Sequence, residues 1–177
     1  MAVFESVLIT AVFMVGASIL FSTLKVGISP MPSSNKAYSA MLALVNKTGT
    51  GPIIDFGSGW GNLIIRIAKQ HPQRAVIGYE LSILPWFTSV VLKKVFSLNN
   101  ITLHRKDFYS AHLPAESVIV CYLFPEAMEK ISDKLREEKP QVSFLISNNF
   151  ALPYCKPSQV IRLDDFYKSP IYLYRIC

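Results

Sequence analysis

The chain has 177 residues, of which 51% are hydrophobic and 17% charged, and this length fits one domain with a sizeable core plus an appended segment. The net charge of +6 suits an anionic membrane surface or an acidic partner, whereas no basic run with interleaved aromatics indicates nucleic-acid binding. The three cysteines form no CxxC pair and show no ligand spacing with the histidines, which predicts reduced thiols and no metal site.

The N-terminal stretch, residues 6–24, is apolar and contains no charged residue. A helix of this length rises about 28 Å, close to the hydrocarbon thickness of a bilayer. A cleaved signal peptide and a buried core helix are the alternatives, but Glu5 is the only charge ahead of the stretch, where a signal peptide has a basic start. The sequence therefore predicts a retained membrane anchor within residues 1–27, in contact with the lipid bilayer through residues 6–24.

The charges that flank this stretch predict its orientation. Lys25 and Lys36 follow it and Glu5 precedes it, so the positive-inside rule predicts a single-pass membrane protein whose C-terminal part faces the cytoplasm. Because the start lacks the Arg-rich pattern of a transit peptide, the bacterial inner membrane is favoured, and a mitochondrial membrane is the alternative.

Residues 28–50 are predicted to form a linker and a helix. Pro30 and Pro32 mark a turn-rich segment, and Ser33 or Ser34 can cap a helix whose apolar residues recur at helical spacing. We expect this helix to cover a cofactor bound by the domain that follows.

From residue 51 to residue 177 the chain alternates between short apolar strands and helices, and it ends in two strands with no helix between them. This order predicts an α/β, Rossmann-like sheet of seven strands, mostly parallel, with a closing antiparallel hairpin. Ligands of such sheets bind at the carboxyl ends of the strands, where the strand order reverses. The predicted strands cover residues 52–56, 74–81, 101–105, 117–123, 142–147, 160–166 and 170–176. The predicted helices cover residues 61–70, 84–98 and 126–138.

A glycine-rich turn follows the first predicted strand. Asp55 precedes three glycines at alternate positions, Gly57, Gly59 and Gly61, with Ser58 between the first two. Glycines let the backbone turn sharply and let a ligand approach it closely, and the start of the next helix leaves free N–H groups nearby. A glycine-rich turn alone is shared with nicotinamide-dependent oxidoreductases. The alternating spacing after an acid resembles motif I of class I methyltransferases, which implies S-adenosyl-L-methionine as the cofactor.

Acidic residues also end the next two strands. Glu80 stands where a carboxylate can accept hydrogen bonds from two ribose hydroxyls. Asp107 and Phe108 stand where methyltransferases commonly contact the adenine, although Asp107 can instead cap a turn. Asp55 is expected to organise the glycine loop or to meet the amino-acid end of the cofactor.

The ends of the fourth and fifth strands carry aromatic and amide residues, with Tyr122 and Phe124 on one and Asn148 and Phe150 on the other. An aromatic mouth suits a lysine side chain, because its stem is apolar and its ammonium is attracted to ring faces. We expect Tyr122 to orient the acceptor, Phe124 and Phe150 to form channel walls, and Asn148 to hold the amine or a backbone group. Ordinary core packing is the alternative for these residues.

Together with the N-terminal stretch, these motifs resemble the membrane-anchored lysine methyltransferases. The matching stretches are Pro30-Met-Pro-Ser33, the glycine loop, Tyr122-Leu-Phe-Pro125 and Ser147-Asn-Asn-Phe150. This family includes the mitochondrial enzymes that act on the ATP synthase c-subunit and on the adenine nucleotide translocase, and it has prokaryotic relatives. The resemblance implies methylation of a lysine in a membrane-associated protein.

Two other functions remain open from the sequence. Trp60 stands where those relatives usually carry an acidic residue, and the Gly-Trp-Gly version recurs in cyclopropane fatty acid synthases, so a lipid or small molecule is an alternative methyl acceptor. A membrane-anchored module that binds the cofactor without catalysis is the other alternative.

Overall fold

The computed structural model describes residues 4–10, 13, 16, 33–138 and 141–176. Residues 4–10 are helical, and the remaining ranges form an alternating series of helices and strands. The elements are α1 Asn35–Val45, β1 Ile53–Phe56, α2 Asn62–Gln70, β2 Val76–Tyr79, α3 Ile83–Val95, β3 Ile101–His104, the 3-10 helix Phe108–Ser110, β4 Ser117–Cys121, α4 Pro125–Glu138, β5 Val142–Asn148, β6 Gln159–Arg162 and β7 Pro170–Arg175.

The strands form one mixed sheet in the order β3-β2-β1-β4-β5-β7-β6. Strands β1 to β5 are parallel, and β7 lies antiparallel between β5 and β6. The predicted seven-strand sheet with a closing antiparallel hairpin is confirmed. The strand order reverses between β1 and β4, so the carboxyl ends of these two strands flank a crevice in which a ligand can bind.

Both faces of the sheet are buried, which explains why its strands are short apolar runs. Successive side chains of a strand point to opposite faces, so Ile53 packs with one hydrophobic cluster and Ile54 with the other. The first cluster includes Met41 of α1 and Ile64 of α2, and the second includes Met128 of α4. Helices on both faces therefore hold the strand ends in fixed positions.

Helix α1 begins at a serine cap, as the sequence predicts. The Ser34 hydroxyl accepts a hydrogen bond from the backbone N–H of Ala37 at 3.1 Å. The buried face of the helix, which includes Tyr38 and Met41, packs into the first cluster with residues of β5 and β7. This packing places the start of α1 beside the carboxyl end of β5.

The prediction of a single-pass membrane protein with a cytoplasmic domain is wrong. No helix within the described ranges is long and apolar enough to cross a membrane. The longest of the named helices, α4, has 14 residues, whereas a transmembrane helix needs about 20. Most of the proposed anchor, from residue 11 to residue 24 except residues 13 and 16, lies outside the described residues.

Candidate cofactor and acceptor site

A cavity of about 290 Å³ opens at the carboxyl ends of β1, β2 and β4, beside the point where the strand order reverses. Most of the residues that the sequence predicts for the site lie in its wall. These are Asp55, Gly57, Ser58, Gly59, Glu80, Asp107, Phe108, Tyr122, Phe124 and Phe150. Gly61 and Asn148 belong to the predicted set but not to the residues that line this cavity.

The glycine loop is a left-handed turn anchored to the neighbouring strand. Gly57, Gly59 and Gly61 have φ values of +73°, +54° and +84°, which side chains rarely adopt. The backbone N–H groups of Gly57 and Ser58 both donate to the Tyr79 carbonyl, at 3.0 and 2.9 Å. The loop is therefore held open toward the cavity by hydrogen bonds to the end of β2.

Gly61 serves the packing of the loop rather than the cavity wall. A Cβ at this position would lie 2.8 Å from the Ser89 hydroxyl of α3. That hydroxyl donates to the Gly59 carbonyl at 3.0 Å and is fully buried. The third glycine thus lets α3 approach the loop, and the cofactor contact predicted for Gly61 stays a prediction.

The Glu80 carboxylate joins the glycine loop to the segment between β2 and α3. One carboxylate oxygen accepts from the Gly59 N–H at 2.9 Å, and the other accepts from the Ser82 N–H at 2.7 Å. Each oxygen keeps lone-pair capacity, because a carboxylate accepts about four hydrogen bonds in total. Glu80 therefore fixes the loop and still presents acceptors to the cavity.

Asp55 is buried at the end of β1 with an unsatisfied carboxylate oxygen. It is 3% exposed, and its Oδ2 atom has no hydrogen-bond partner among the described residues. Burial, with a smaller contribution from the Glu80 carboxylate, raises the pKa of Asp55 to about 8. A cationic ligand group beside Asp55 would satisfy this oxygen and favour its ionised form.

Asp107 and Phe108 follow β3 on the far wall of the cavity. Asp107 caps the 3-10 helix, because its carboxylate accepts from the Tyr109 N–H at 3.0 Å. The Phe108 ring stacks on Phe56, with centroids 4.7 Å apart and an interplanar angle of 16°. Asp107 thus has the turn-capping contact that the sequence left as an alternative, and Phe108 offers a flat apolar surface in the cavity wall.

An aromatic wall joins the ends of β4 and β5. Tyr122 and Phe150 lie nearly parallel at 16°, with ring centroids 6.3 Å apart, and Phe124 lines the same cavity. All three side chains are half-buried, and the rings of Phe124 and Phe150 also pack against the second hydrophobic cluster. A long apolar side chain can lie against such a wall.

Asn148 is buried beside this wall and joins β5 to the segment before α1. It is 4% exposed, and its side-chain amide donates to the Ser33 hydroxyl at 3.0 Å. Ser33 lines the cavity, whereas Asn148 lies behind it. The structure therefore gives Asn148 a contact with the Ser33 hydroxyl, and its expected role toward the acceptor stays a prediction.

The cavity also contains residues to which sequence reasoning assigned no role at this site. They are Ser33, Tyr38, Trp60, Asn62, Leu63, Tyr79, Leu81, Ser82, Lys106 and Leu123. Tyr38 belongs to the helix that the sequence predicts to cover a cofactor. The sequence therefore indicated this helix, but it did not indicate Tyr38 itself. Trp60, Asn62 and Lys106 adjoin motif residues, and their position next to the glycine loop and Asp107 was the available signal.

The residues present fit S-adenosylmethionine. The buried, unpartnered oxygen of Asp55 suits the ammonium of its amino-acid end, and the free acceptor capacity of Glu80 suits ribose hydroxyls. The Phe108 ring suits an adenine face, and the glycine loop leaves room for close approach. Within the described residues, no group of three His, Cys, Asp or Glu side chains has the arrangement of a metal site.

Over residues 55–159, which is more than half of the chain, the sequence matches the family described as the ANTKMT methyltransferase domain. The chain belongs to this family. It is therefore a methyltransferase domain of the ANTKMT type.

Relatives of this ANTKMT-type domain include named lysine methyltransferases. The adenine nucleotide translocase lysine N-methyltransferase of Mus musculus is 29% identical over 63% of this chain and 48% of its own length. The protein-lysine N-methyltransferase of Saccharolobus islandicus (strain REY15A) is 22% identical over 82% of this chain and 92% of its own length. The ATP synthase c-subunit lysine N-methyltransferase of Xenopus laevis is 28% identical over 64% of this chain and 50% of its own length. The chain thus spans about half the length of the mouse and frog relatives.

Solved structures share the fold of the domain. The RNA methyltransferase from Salinibacter ruber, in complex with S-adenosyl-L-homocysteine, aligns with a TM-score of 0.70 at 22% identity, over 82% of this chain and 94% of that chain. The magnesium protoporphyrin IX methyltransferase from Synechocystis PCC 6803, with bound S-adenosyl-L-homocysteine, aligns with a TM-score of 0.63 at 16% identity. The alignment covers 80% of this chain and 82% of that chain. These alignments establish the class I methyltransferase fold.

Proposed function

We propose that this domain transfers the methyl group of S-adenosylmethionine to the side-chain amine of a lysine in a membrane-associated protein. The observation that carries the proposal is the aromatic wall of Tyr122, Phe124 and Phe150 in the same cavity as the glycine loop. The names of the relatives, which specify protein lysines, the adenine nucleotide translocase and the ATP synthase c-subunit, support the same acceptor class.

The proposed cofactor contacts use residues at the three strand ends. Asp55 binds the ammonium of the amino-acid end, Glu80 accepts from the ribose hydroxyls, and Asp107 with Phe108 contacts the adenine. The backbone of Gly57, Ser58 and Gly59 lies against the amino-acid portion, and Gly61 shapes the loop from behind. Helix α1, in the segment 28–50, covers this part of the site through Tyr38, which lines the cavity.

The proposed acceptor contacts use the aromatic wall. When bound, S-adenosylmethionine would supply an electrophilic methyl group. The uncharged lysine amine would form its N–CH3 bond as the S–CH3 bond breaks, S-adenosylhomocysteine would leave as the thioether, and the methylated nitrogen would lose one proton to solvent. Phe124 and Phe150 hold the apolar lysine stem, and Tyr122 orients the nitrogen with its hydroxyl. Such positioning supplies much of the rate in a displacement of this kind. A desolvated aromatic channel lowers the pKa of the incoming ammonium, so the wall also favours the reactive amine.

The test incubates the full chain with methyl-labelled S-adenosylmethionine and membranes, then separates protein from lipid. We expect label in a protein band, on lysine after hydrolysis. Label in the lipid extract would favour the lipid acceptor that the Gly-Trp-Gly sequence suggests, and no label would favour a non-catalytic module.

Substitutions in the wall test the same proposal through turnover. Phe124→Ala should lower turnover by about tenfold or more, because the acceptor loses a positioning surface. Cofactor affinity, measured by calorimetry, should stay within about twofold, since the wall is assigned to the acceptor. Phe166→Ala is the matched control, because this ring is 92% exposed and lies outside the cavity. Full turnover in both Tyr122→Phe and Phe124→Ala, with cofactor binding intact, would show that the proposed channel is wrong.

A further inference from the structure

Large apolar side chains are exposed along the whole length of α3. Ile83, Phe87, Val91 and Val95 recur every four residues, and their exposed fractions are 56, 57, 41 and 67%. Residues at this spacing share one face of a helix. The opposite face holds the buried Pro85 and Ser89, while Leu92 packs against the first hydrophobic cluster. We call the outer set the α3 stripe.

Basic residues accompany the α3 stripe. Within α3 the sequence contains no acidic residue and two basic ones, Lys93 and Lys94. Lys94 is exposed, and at 100° per residue it shares the helix face of Ile83 and Phe87. At the end of α3, the Lys69 ammonium lies 3.2 Å over the ring of Phe96, which is itself 44% exposed. This surface is therefore apolar with a positive margin.

We infer that the α3 stripe is a docking surface for an anionic lipid headgroup layer. A helix whose outer face combines large apolar side chains with lysines and lacks acids has the chemistry of a helix that lies in a membrane interface. The apolar side chains enter the headgroup boundary, and each nearby lysine is attracted to anionic lipid. A protein partner would need its own apolar groove and acidic residues at matching positions. An anionic lipid layer offers an apolar interior and a negatively charged surface everywhere along the helix.

The position of the stripe relates lipid docking to the methyltransferase site. Leu81, which is 38% exposed, lines the cavity, and Ile83 begins the stripe two residues later. Contact with a lipid layer along α3 would therefore hold one rim of the cavity close to that layer. An acceptor group near the surface of the layer would then be within reach, a consequence that rests on the proposed function.

Fluorescence quenching tests the contact at the stripe itself. The full chain carrying Phe87→Trp is mixed with phosphatidylcholine vesicles that contain phosphatidylglycerol and brominated lipid. Quenching of the added tryptophan should exceed that in Phe166→Trp, whose ring is also exposed but lies off the stripe. The native Trp60 and Trp86 contribute to both variants and cancel in the comparison. Equal quenching in the two variants would overturn the proposal.

Charge reversal tests the electrostatic part. Lys93→Glu with Lys94→Glu should weaken binding to anionic vesicles about 10- to 30-fold, since each lysine near the surface contributes to the attraction. Lys47→Glu with Lys156→Glu, both outside α3, is the matched control and should change binding by less than about twofold. Self-association that Phe87→Ser abolishes would assign the stripe to a second copy, and capture of an apolar peptide without quenching would assign it to a protein. The vesicle assays need neither cofactor nor methyl acceptor, so their failure is separate from a failure of the proposed function.

Discussion

Asp55 combines a position in the cavity wall with an unfavourable environment. Its carboxyl is buried with one oxygen unpartnered, and its pKa of about 8 lies far above the usual range. The folded chain therefore holds a proton at pH 7 that the unfolded chain releases. Because the native state binds more protons, the free energy of unfolding falls as the pH rises from about 4 to about 8. A ligand ammonium reverses this preference, since it stabilises the ionised carboxylate.

Asp55→Asn separates these effects. Without cofactor at pH 7.5, the free energy of unfolding should increase by about 2–4 kcal/mol, because the cost of the buried carboxylate is removed. In the wild-type chain at pH 7, cofactor binding should release about one proton, measured as the dependence of the binding enthalpy on the ionisation enthalpy of the buffer.

The variant should bind more weakly and release no proton. Asp164→Asn, on an exposed side chain, is the control and should leave both quantities unchanged. Proton release that persists in Asp55→Asn would mean that another group titrates.

At the scale of elements, a hydrogen bond between residues distant in sequence helps to position α1 beside the cavity. Its capping serine and apolar spacing account for the helix, but Asn148 of β5 holds the preceding Ser33 through a hydrogen bond across 115 positions. The helix also packs its buried face into the cluster that includes Ile146 and Leu173. The segment is therefore positioned by β5 as much as by its own sequence.

A double-mutant cycle measures this link. Ser33→Ala and Asn148→Ala should each weaken cofactor binding several-fold, with a coupling free energy of about 1 kcal/mol between them, because each removes the same hydrogen bond. Calorimetry on the four proteins gives the coupling. Ser39→Ala, on the exposed side of α1, is the control. Additive effects of the two substitutions would show that the hydrogen bond does not position α1.

At the scale of the whole molecule, the cofactor should stabilise the fold. Binding to the folded state alone contributes about 2.7 kcal/mol at a ligand concentration of 100 times the Kd. For a chain of this size that corresponds to a rise in Tm of about 5–10 °C. NAD at the same concentration should give no rise.

Glu80→Ala should abolish the rise, because Glu80 both holds the glycine loop and faces the cavity. Each variant is compared with its own cofactor-free Tm, so a lower starting stability does not confuse the result. Glu129→Ala, an exposed acid on α4, is the control. An unchanged rise in Glu80→Ala would remove Glu80 from the proposed ribose contact.

The sequence by itself determined the order of the elements and the position of the glycine loop. Apolar periodicity, serine caps and glycine turns are local properties, so the seven strands and a cap at Ser33 or Ser34 follow from neighbouring residues, and the structure places the cap at Ser34. Because parallel strands end at one edge, the placement of Asp55, Glu80 and Asp107 in one cavity also followed.

Tertiary structure decided which of these residues face the cavity and which surfaces remain exposed. Gly61 packs against Ser89, and Asn148 binds Ser33, through contacts that no local pattern records. The prediction of a single-pass membrane protein was wrong, since no helix among the described residues is long and apolar enough to cross a membrane. The exposure of Ile83 and Phe87 likewise depends on how α3 lies against its neighbours. Burial is a property of the assembled chain, because it depends on atoms brought together from distant parts of the sequence.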